Sequence, residues 1–270
     1  MREVSFGQYY PSFSVVHKLN PAVKILLSIA YIVAVFLVRS YYFLGFAACL
    51  FFVIIVTAVS KVPFLKVLKS IRAILFFVIL SAVIQVFVNK TGTPLWENGF
   101  IYTGGLINAA YIVLRISLIV LGASLLTLTT SPVELADGIE FLLYPLKYIK
   151  FPVHEFALIM SIALRFIPTL LDETDRIIKA QKARGADFES KNIFKRAKAL
   201  VPVLIPLLIS SFRRADELAD AMDSRCYSGS KNRTKYKKLT FDFGDLFAAV
   251  FTAGLIVGVI YLNGVLGVAV

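Results

Sequence analysis

The chain has 270 residues, 58% of them hydrophobic and 17% charged, where a soluble domain carries roughly a quarter charged residues. That leaves too little polar surface to cover a water-soluble globule and points to an integral membrane protein. The net charge of +12 then fits basic loops on the cytoplasmic side of a membrane better than a nucleic-acid surface.

Residues 1–20 are polar and aromatic and lack the charged stub, apolar run and small-residue cleavage site of a signal peptide. Asn20-Pro21 predicts a helix start, with Asn as N-cap and Pro at the first helical position. Residues 22–39 form the first predicted span. Residues 41–59, 73–88, 105–130 and 246–270 follow, giving five spans for a bilayer that needs about 20 helical residues. Five spans place the termini on opposite sides. With the N-terminus inside, all but Arg39, Lys90 and Arg115 of the 29 Lys and Arg fall in inside segments, residues 1–24, 60–72 and 131–240. The expectation is a multi-pass cell-membrane protein with a cytoplasmic N-terminus.

Arg115 interrupts the fourth span, at a cost of about 2.5–3.5 kcal/mol if it sits at mid-bilayer. Two readings stay open: a span that begins near Tyr111 and lets Arg115 snorkel outward, or a contact within a complex. Gly254 and Gly258 form a G-x-x-x-G in the last span, which permits close helix packing. The two cysteines, Cys49 and Cys226, cannot build a disulfide framework. His17 and His154 lack ligand-spaced companions, so neither a metal site nor a cofactor is expected.

Residues 131–240 are the unusual part, mixing apolar runs with dense charge between the bundle of residues 1–130 and the final span of residues 241–270. Ser131-Pro132-Val133-Glu134 is a capping-box pattern and predicts a helix start. Pro145 and Pro152 then punctuate the chain. Two similar helices follow. The first has an apolar half (156–171) containing Arg165 and Pro168, then a charged half (172–185). The second has an apolar half (199–212) containing Pro202 and Pro206, then a charged half (213–226). Neither apolar half makes a comfortable span.

At an offset of 41 positions Asp175 matches Asp216, Ala180 matches Ala221 and Arg184 matches Arg225. Both charged halves therefore close on an arginine between small residues, Ala183-Arg184-Gly185 and Ser224-Arg225-Cys226. Taken singly, each triplet is accounted for as a helix end: a cation against the negative end of the dipole and, in the first, a glycine suited to the left-handed C′ position. As a pair they look like two prongs, each presenting a rigid five-donor fork able to hold carboxylates or carbonyls. That suits a partner made of two related subunits.

The acidic runs Asp172-Glu173-Thr174-Asp175 and Asp216 to Asp223 offer an alternative, the paired Asp-rich motifs of a magnesium-dependent membrane prenyltransferase. Read plainly, they are solvated helix faces with i,i+4 pairs such as Asp172 with Arg176 and Arg213 with Glu217. No phosphate-binding loop or hydrolase motif occurs in the sequence, so the chain is not expected to hydrolyse ATP itself. The basic cluster at 231–238 reads as an anchor at anionic lipid headgroups.

His17-Lys18-Leu19-Asn20-Pro21 leading to Lys24, Thr130-Ser131-Pro132, Tyr144-Pro145-Leu146, Leu164-Arg165-Phe166-Ile167-Pro168 and the two arginine triplets together resemble the transmembrane T component of energy-coupling-factor transporters, the EcfT/CbiQ family. The resemblance covers nearly the whole chain. It implies an all-α membrane protein of about five transmembrane helices plus a cytoplasmic helical coupling module. It also implies a non-catalytic subunit that joins two ABC-type ATPases to a membrane-embedded substrate-binding S component for uptake of a vitamin, cobalt, nickel or another micronutrient. Carried over by position, Arg184 and Arg225 are the tips that rest on the ATPases. Ser224 and Cys226 depart from the family's Ala-Arg-Gly but stay small.

Overall fold

The computed structural model describes residues 9–39, 43–93, 102–149, 152–188, 190, 192–229 and 240–267, with helices and their connections and no strand among them. The basic cluster at 231–238 lies outside the described residues. The chain divides into two compact units. One holds α1 (Val15–Lys18), α2 (Pro21–Leu37), α3 (Phe43–Ser60), α4 (Phe64–Val88), α5 (Thr103–Thr129), α6 (Pro132–Leu143) and α9 (Phe243–Gly267). The other holds a 3-10 helix (Tyr144–Ile149), α7 (Val153–Ala183) and α8 (Ile193–Asp223).

Among the described residues, five helices are long and apolar enough to cross a membrane: α3, α4, α5, α7 and α9. The number equals the expected one, but the set differs. The 17 residues of α2 reach only about 25 Å at 1.5 Å per residue, short of a 30 Å hydrocarbon core. Conversely, α7, whose apolar half looks like no comfortable span in the sequence, runs through Pro168 for 31 residues and is long and apolar enough to cross. α4 also starts earlier than residue 73. No Pro or Gly follows Pro63 until the helix ends, so Lys66, Lys69 and Arg72 occupy its first turns.

The bundle core is a set of stripes at helical spacing. Tyr31 and Val35 of α2 and its C-cap Val38 meet Phe46, Cys49 and Val53 of α3 and Leu118, Leu121, Leu125 and Leu128 of α5. Spacings of three, four and seven keep each set on one helix face. The other faces stay apolar too, with Phe36, Phe51, Phe76 and Phe77 exposed, as expected of helices whose surrounding solvent is lipid. Gly122 allows the closest approach, because a Cβ there would overlap the ring edge of Tyr31. The Tyr31 hydroxyl donates to the Leu118 carbonyl at 3.3 Å. Gly254 and Gly258, by contrast, would meet nothing with an added Cβ, so their G-x-x-x-G packs against no helix among the described residues.

The two ends of α2 are closed by polar groups from elsewhere in the bundle. At its C-terminus, Arg115 donates to the Val38 carbonyl at 2.7 Å and the Asn263 amide donates to the Leu37 carbonyl at 2.7 Å. These are carbonyls that no later turn of helix can satisfy. The α5 helix begins at Thr103, so Arg115 sits well inside it, with its guanidinium on the Val38 carbonyl. It serves its own bundle.

At the N-terminus the Asn20 side chain accepts from the Ala22 amide at 3.0 Å, as the Asn-Pro pair predicts. The Asn20 amide donates to Asp245 Oδ1 at 2.9 Å, and the Asp242 amide donates to Asp245 Oδ2 at 3.0 Å. Lys24, 6% exposed, donates to the carbonyls of His17 and Thr129 at 3.0 and 3.2 Å. Asp245, 4% exposed, thus has a backbone donor on each carboxylate oxygen. Buried charges need such partners, and here they tie together the starts of α2 and α9 and the end of α5.

The predicted capping box forms. The Ser131 amide donates to Glu134 Oε2 at 3.1 Å, and the Glu134 amide donates to Ser131 Oγ at 3.3 Å. That reciprocal pair starts α6. Gly138 then lets α6 lie against the backbone of Pro21 and Ala22, 3.0 Å from where its Cβ would be.

Candidate functional site

The two arginine triplets close α7 and α8 with the same backbone motif. The Ala186 amide donates to the Gln181 carbonyl and the Gly185 amide to the Lys182 carbonyl, both at 3.0 Å. Forty-one positions later the Tyr227 amide donates to the Met222 carbonyl at 3.0 Å and the Cys226 amide to the Asp223 carbonyl at 2.9 Å. These crossed six-to-one and five-to-two bonds make a Schellman ending, which needs a left-handed residue at C′. Gly185 fills it with φ +87° and Cys226 with φ +56°. The substitution of Cys for Gly therefore leaves the ending intact, at the cost of placing a Cβ where L-residues are disfavoured.

The closing turn fixes where each arginine stands. Arg184 and Arg225 each immediately precede the left-handed residue, and both are exposed, as are Ala183, Gly185, Ser224 and Cys226. Among the described residues neither guanidinium takes a side-chain partner. Among the described residues, then, all ten N–H donors of the pair are open to another molecule.

The repeat extends into the bodies of the helices. Phe166, Leu170, Glu173, Ile177 and Gln181 are partly covered on α7, as are neighbours such as Thr174 and Ile178. The counterparts of the first five at the 41-residue offset, Leu207, Ser211, Arg214, Leu218 and Met222, are partly covered on α8. Within this duplicated face the Glu173 carboxylate accepts from Arg214 at 2.7 Å. The sequence reading paired charges only within each helix and missed this contact. Carrying the 41-residue offset to positions of opposite charge would have found it.

The acidic runs do not assemble. No cluster of three or more His, Cys, Asp or Glu able to hold a metal occurs among the described residues, and Asp172, Asp175, Asp216, Asp220 and Asp223 are spread over exposed faces.

Residues 12–236 match the family model described as cobalt transport protein, CbiQ. Among curated relatives, the energy-coupling factor transporter transmembrane protein EcfT of Clostridium kluyveri is 50% identical over 93% of this chain and 93% of its own length. The proteins of the same name from Ruminiclostridium cellulolyticum and Bacillus subtilis are 48% and 44% identical, over 97% and 91% of this chain and 98% and 92% of theirs. These relatives are transporter membrane proteins and lend no support to a prenyltransferase. With its all-helical build, its apolar spans and its repeated arginine-ended helices, the chain belongs to the CbiQ family as a non-catalytic transmembrane component of energy-coupling-factor transporters.

Proposed function

We propose that this chain is the coupling subunit of an energy-coupling-factor importer, transmitting movements of two ABC-type ATPases to a membrane-embedded S component that takes up a vitamin or other micronutrient. In this reading residues 1–130 and 241–270 anchor the subunit in the cell membrane. Residues 131–240 carry the coupling helices, and the N-terminus is cytoplasmic, as the one-sided placement of Lys and Arg favours. Membrane lipid surrounds the bundle, and nucleic acid has no part.

The observation that carries the reading is that Arg184 and Arg225 are exposed, unpartnered among the described residues, and presented by the same closing turn at the ends of two repeated helices. A repeated pair of cationic prongs fits a repeated partner, and two ATPase subunits provide one. A helix is stiff over these lengths, so displacement of a held tip is conveyed along α7 or α8 without bending them at the tip.

The test is charge reversal with co-purification. Breaking a buried arginine pair at an interface costs about 2–5 kcal/mol, so Arg184→Glu and Arg225→Glu are each expected to weaken ATPase binding by about 30-fold or more. Expression in the membrane is expected to be unchanged. Recovery of both ATPases in full, with undiminished uptake, would contradict the reading.

A further inference from the structure

Glu173 and Arg214 occupy the same position in the two copies of the repeat, 41 residues apart, and form a hydrogen-bonded ion pair, with the Ser210 side chain also donating to Glu173. Arg184 follows Glu173 by 11 positions, and Arg225 follows Arg214 by the same 11. The contact therefore sits at equal distance from the two tips, about 16 Å of helix on either side at 1.5 Å per residue. Contact between unequal repeat positions would give arms of unequal length.

We infer that the Glu173–Arg214 pair is the fulcrum of the coupling helices, pinning α7 to α8 in the one register that makes their arginine arms equal. The inference rests on the coupling function proposed above and names the residues that would make two arms act together.

The apolar members of the duplicated face, Phe166, Leu170, Ile177, Leu207, Leu218 and Met222, attract without direction and so select a register less sharply. Slippage by one helical turn would move one tip about 5 Å relative to the other. A charged, hydrogen-bonded pair has a single short geometry and can select one register from several, which is the best attested use of such pairs. At 32% and 24% exposure for Arg214 and Glu173, the pair adds little to stability. Reversing it is thus expected to leave the helices folded while freeing their alignment.

The test uses the full chain with Cys49→Ala and Cys226→Gly, spin-labelled at Lys179→Cys and Asp220→Cys, two exposed positions that are themselves repeat equivalents. The distance distribution between the labels is expected to be narrow in the parent. It should broaden or become multimodal in Glu173→Arg and in Arg214→Glu, and narrow again in the double reversal. In the reconstituted complex, each single reversal is expected to keep both ATPases bound. Uptake per ATP hydrolysed should fall by about fivefold, the scale of one such pair, and the double reversal should restore it. A merely structural pair would lower stability without separating uptake from hydrolysis.

Unchanged distances in the single variants, or a double reversal no better than the singles, would overturn the inference. So would distances that respond while uptake per ATP does not. The coupling function itself is judged separately, by ATPase binding to the tip variants, which leave Glu173 and Arg214 intact.

Discussion

Gly185 and Cys226 hold the same left-handed backbone position, φ +87° and +56°, each one residue beyond an exposed arginine. Only the first is the residue type that adopts this conformation freely. The cysteine is kept there by the two amide–carbonyl bonds of its closing turn. Cys226→Gly is therefore expected to stabilise the chain by about 0.5–1 kcal/mol, the strain relieved less the entropy of the new glycine. Gly185→Val should destabilise by about 1–2 kcal/mol. Nothing lies within 4 Å of a Cβ built at Gly185, so the loss would come from the backbone alone. Thermal unfolding in detergent reads both.

Gly122 and Tyr31 form the tightest contact of the bundle core. A methyl at residue 122 would occupy the space of the Tyr31 ring edge and force the hydroxyl off the Leu118 carbonyl. Gly122→Ala is expected to cost about 1–3 kcal/mol as an overpacked core site. Combined with Tyr31→Leu, the loss should be smaller than the sum of the two singles, because the second change vacates the space the first one fills. A double-mutant cycle on the unfolding midpoint measures this.

Asp245 gathers the amide of Asp242, three residues before it, and that of Asn20, 225 residues away. Asp245→Ala would leave the buried Asn20 donor unsatisfied, an expected loss of about 1–3 kcal/mol. Asp245→Asn keeps one acceptor and should cost less. Limited proteolysis of the loops around α1 and α9 would follow the loosening, alongside thermal unfolding.

The His17 imidazole, outside the spans, is held below its usual 6.5 chiefly by burial, a lowering only partly offset by its hydrogen bond to the Tyr10 carbonyl. Its other contacts include the Ser14 hydroxyl at 2.7 Å. A folded-state value below the unfolded one means that the unfolded chain takes up the proton first. Stability is therefore full above about pH 6.5 and falls as the pH drops through that value towards the folded one. In His17→Gln this part of the pH dependence should vanish, while the variant sits lower at neutral pH for want of the imidazole's contacts.

Local signals in the sequence became local structure with little change. Asn20-Pro21 starts α2, Ser131 and Glu134 cap α6 reciprocally, and the two arginine triplets end α7 and α8. Apolarity alone misjudged the start of α4, because Lys66, Lys69 and Arg72 look like loop residues although nothing there breaks a helix. It misjudged α7 as well, which is long and apolar enough to cross a membrane; Pro168, Pro202 and Pro206 lie, as expected, inside continuous helices, where each forfeits one backbone bond without ending the helix. The partners of Arg115 and Asp245 were not legible, since a single sequence carries no distance information and both contacts join remote segments. The Glu173–Arg214 pair lay in between, reachable by extending the internal repeat from similar residues to complementary ones.

The most direct test places a benzophenone amino acid at position 184 or 225 of the full chain and irradiates the assembled complex purified from membranes. Adducts to an ATPase subunit are expected from both positions and none from position 76, where the exposed Phe76 belongs to the apolar surface of α4. Adducts from 184 and 225 that join only lipid or the chain itself would contradict the assignment of these two arginines to the ATPase contact.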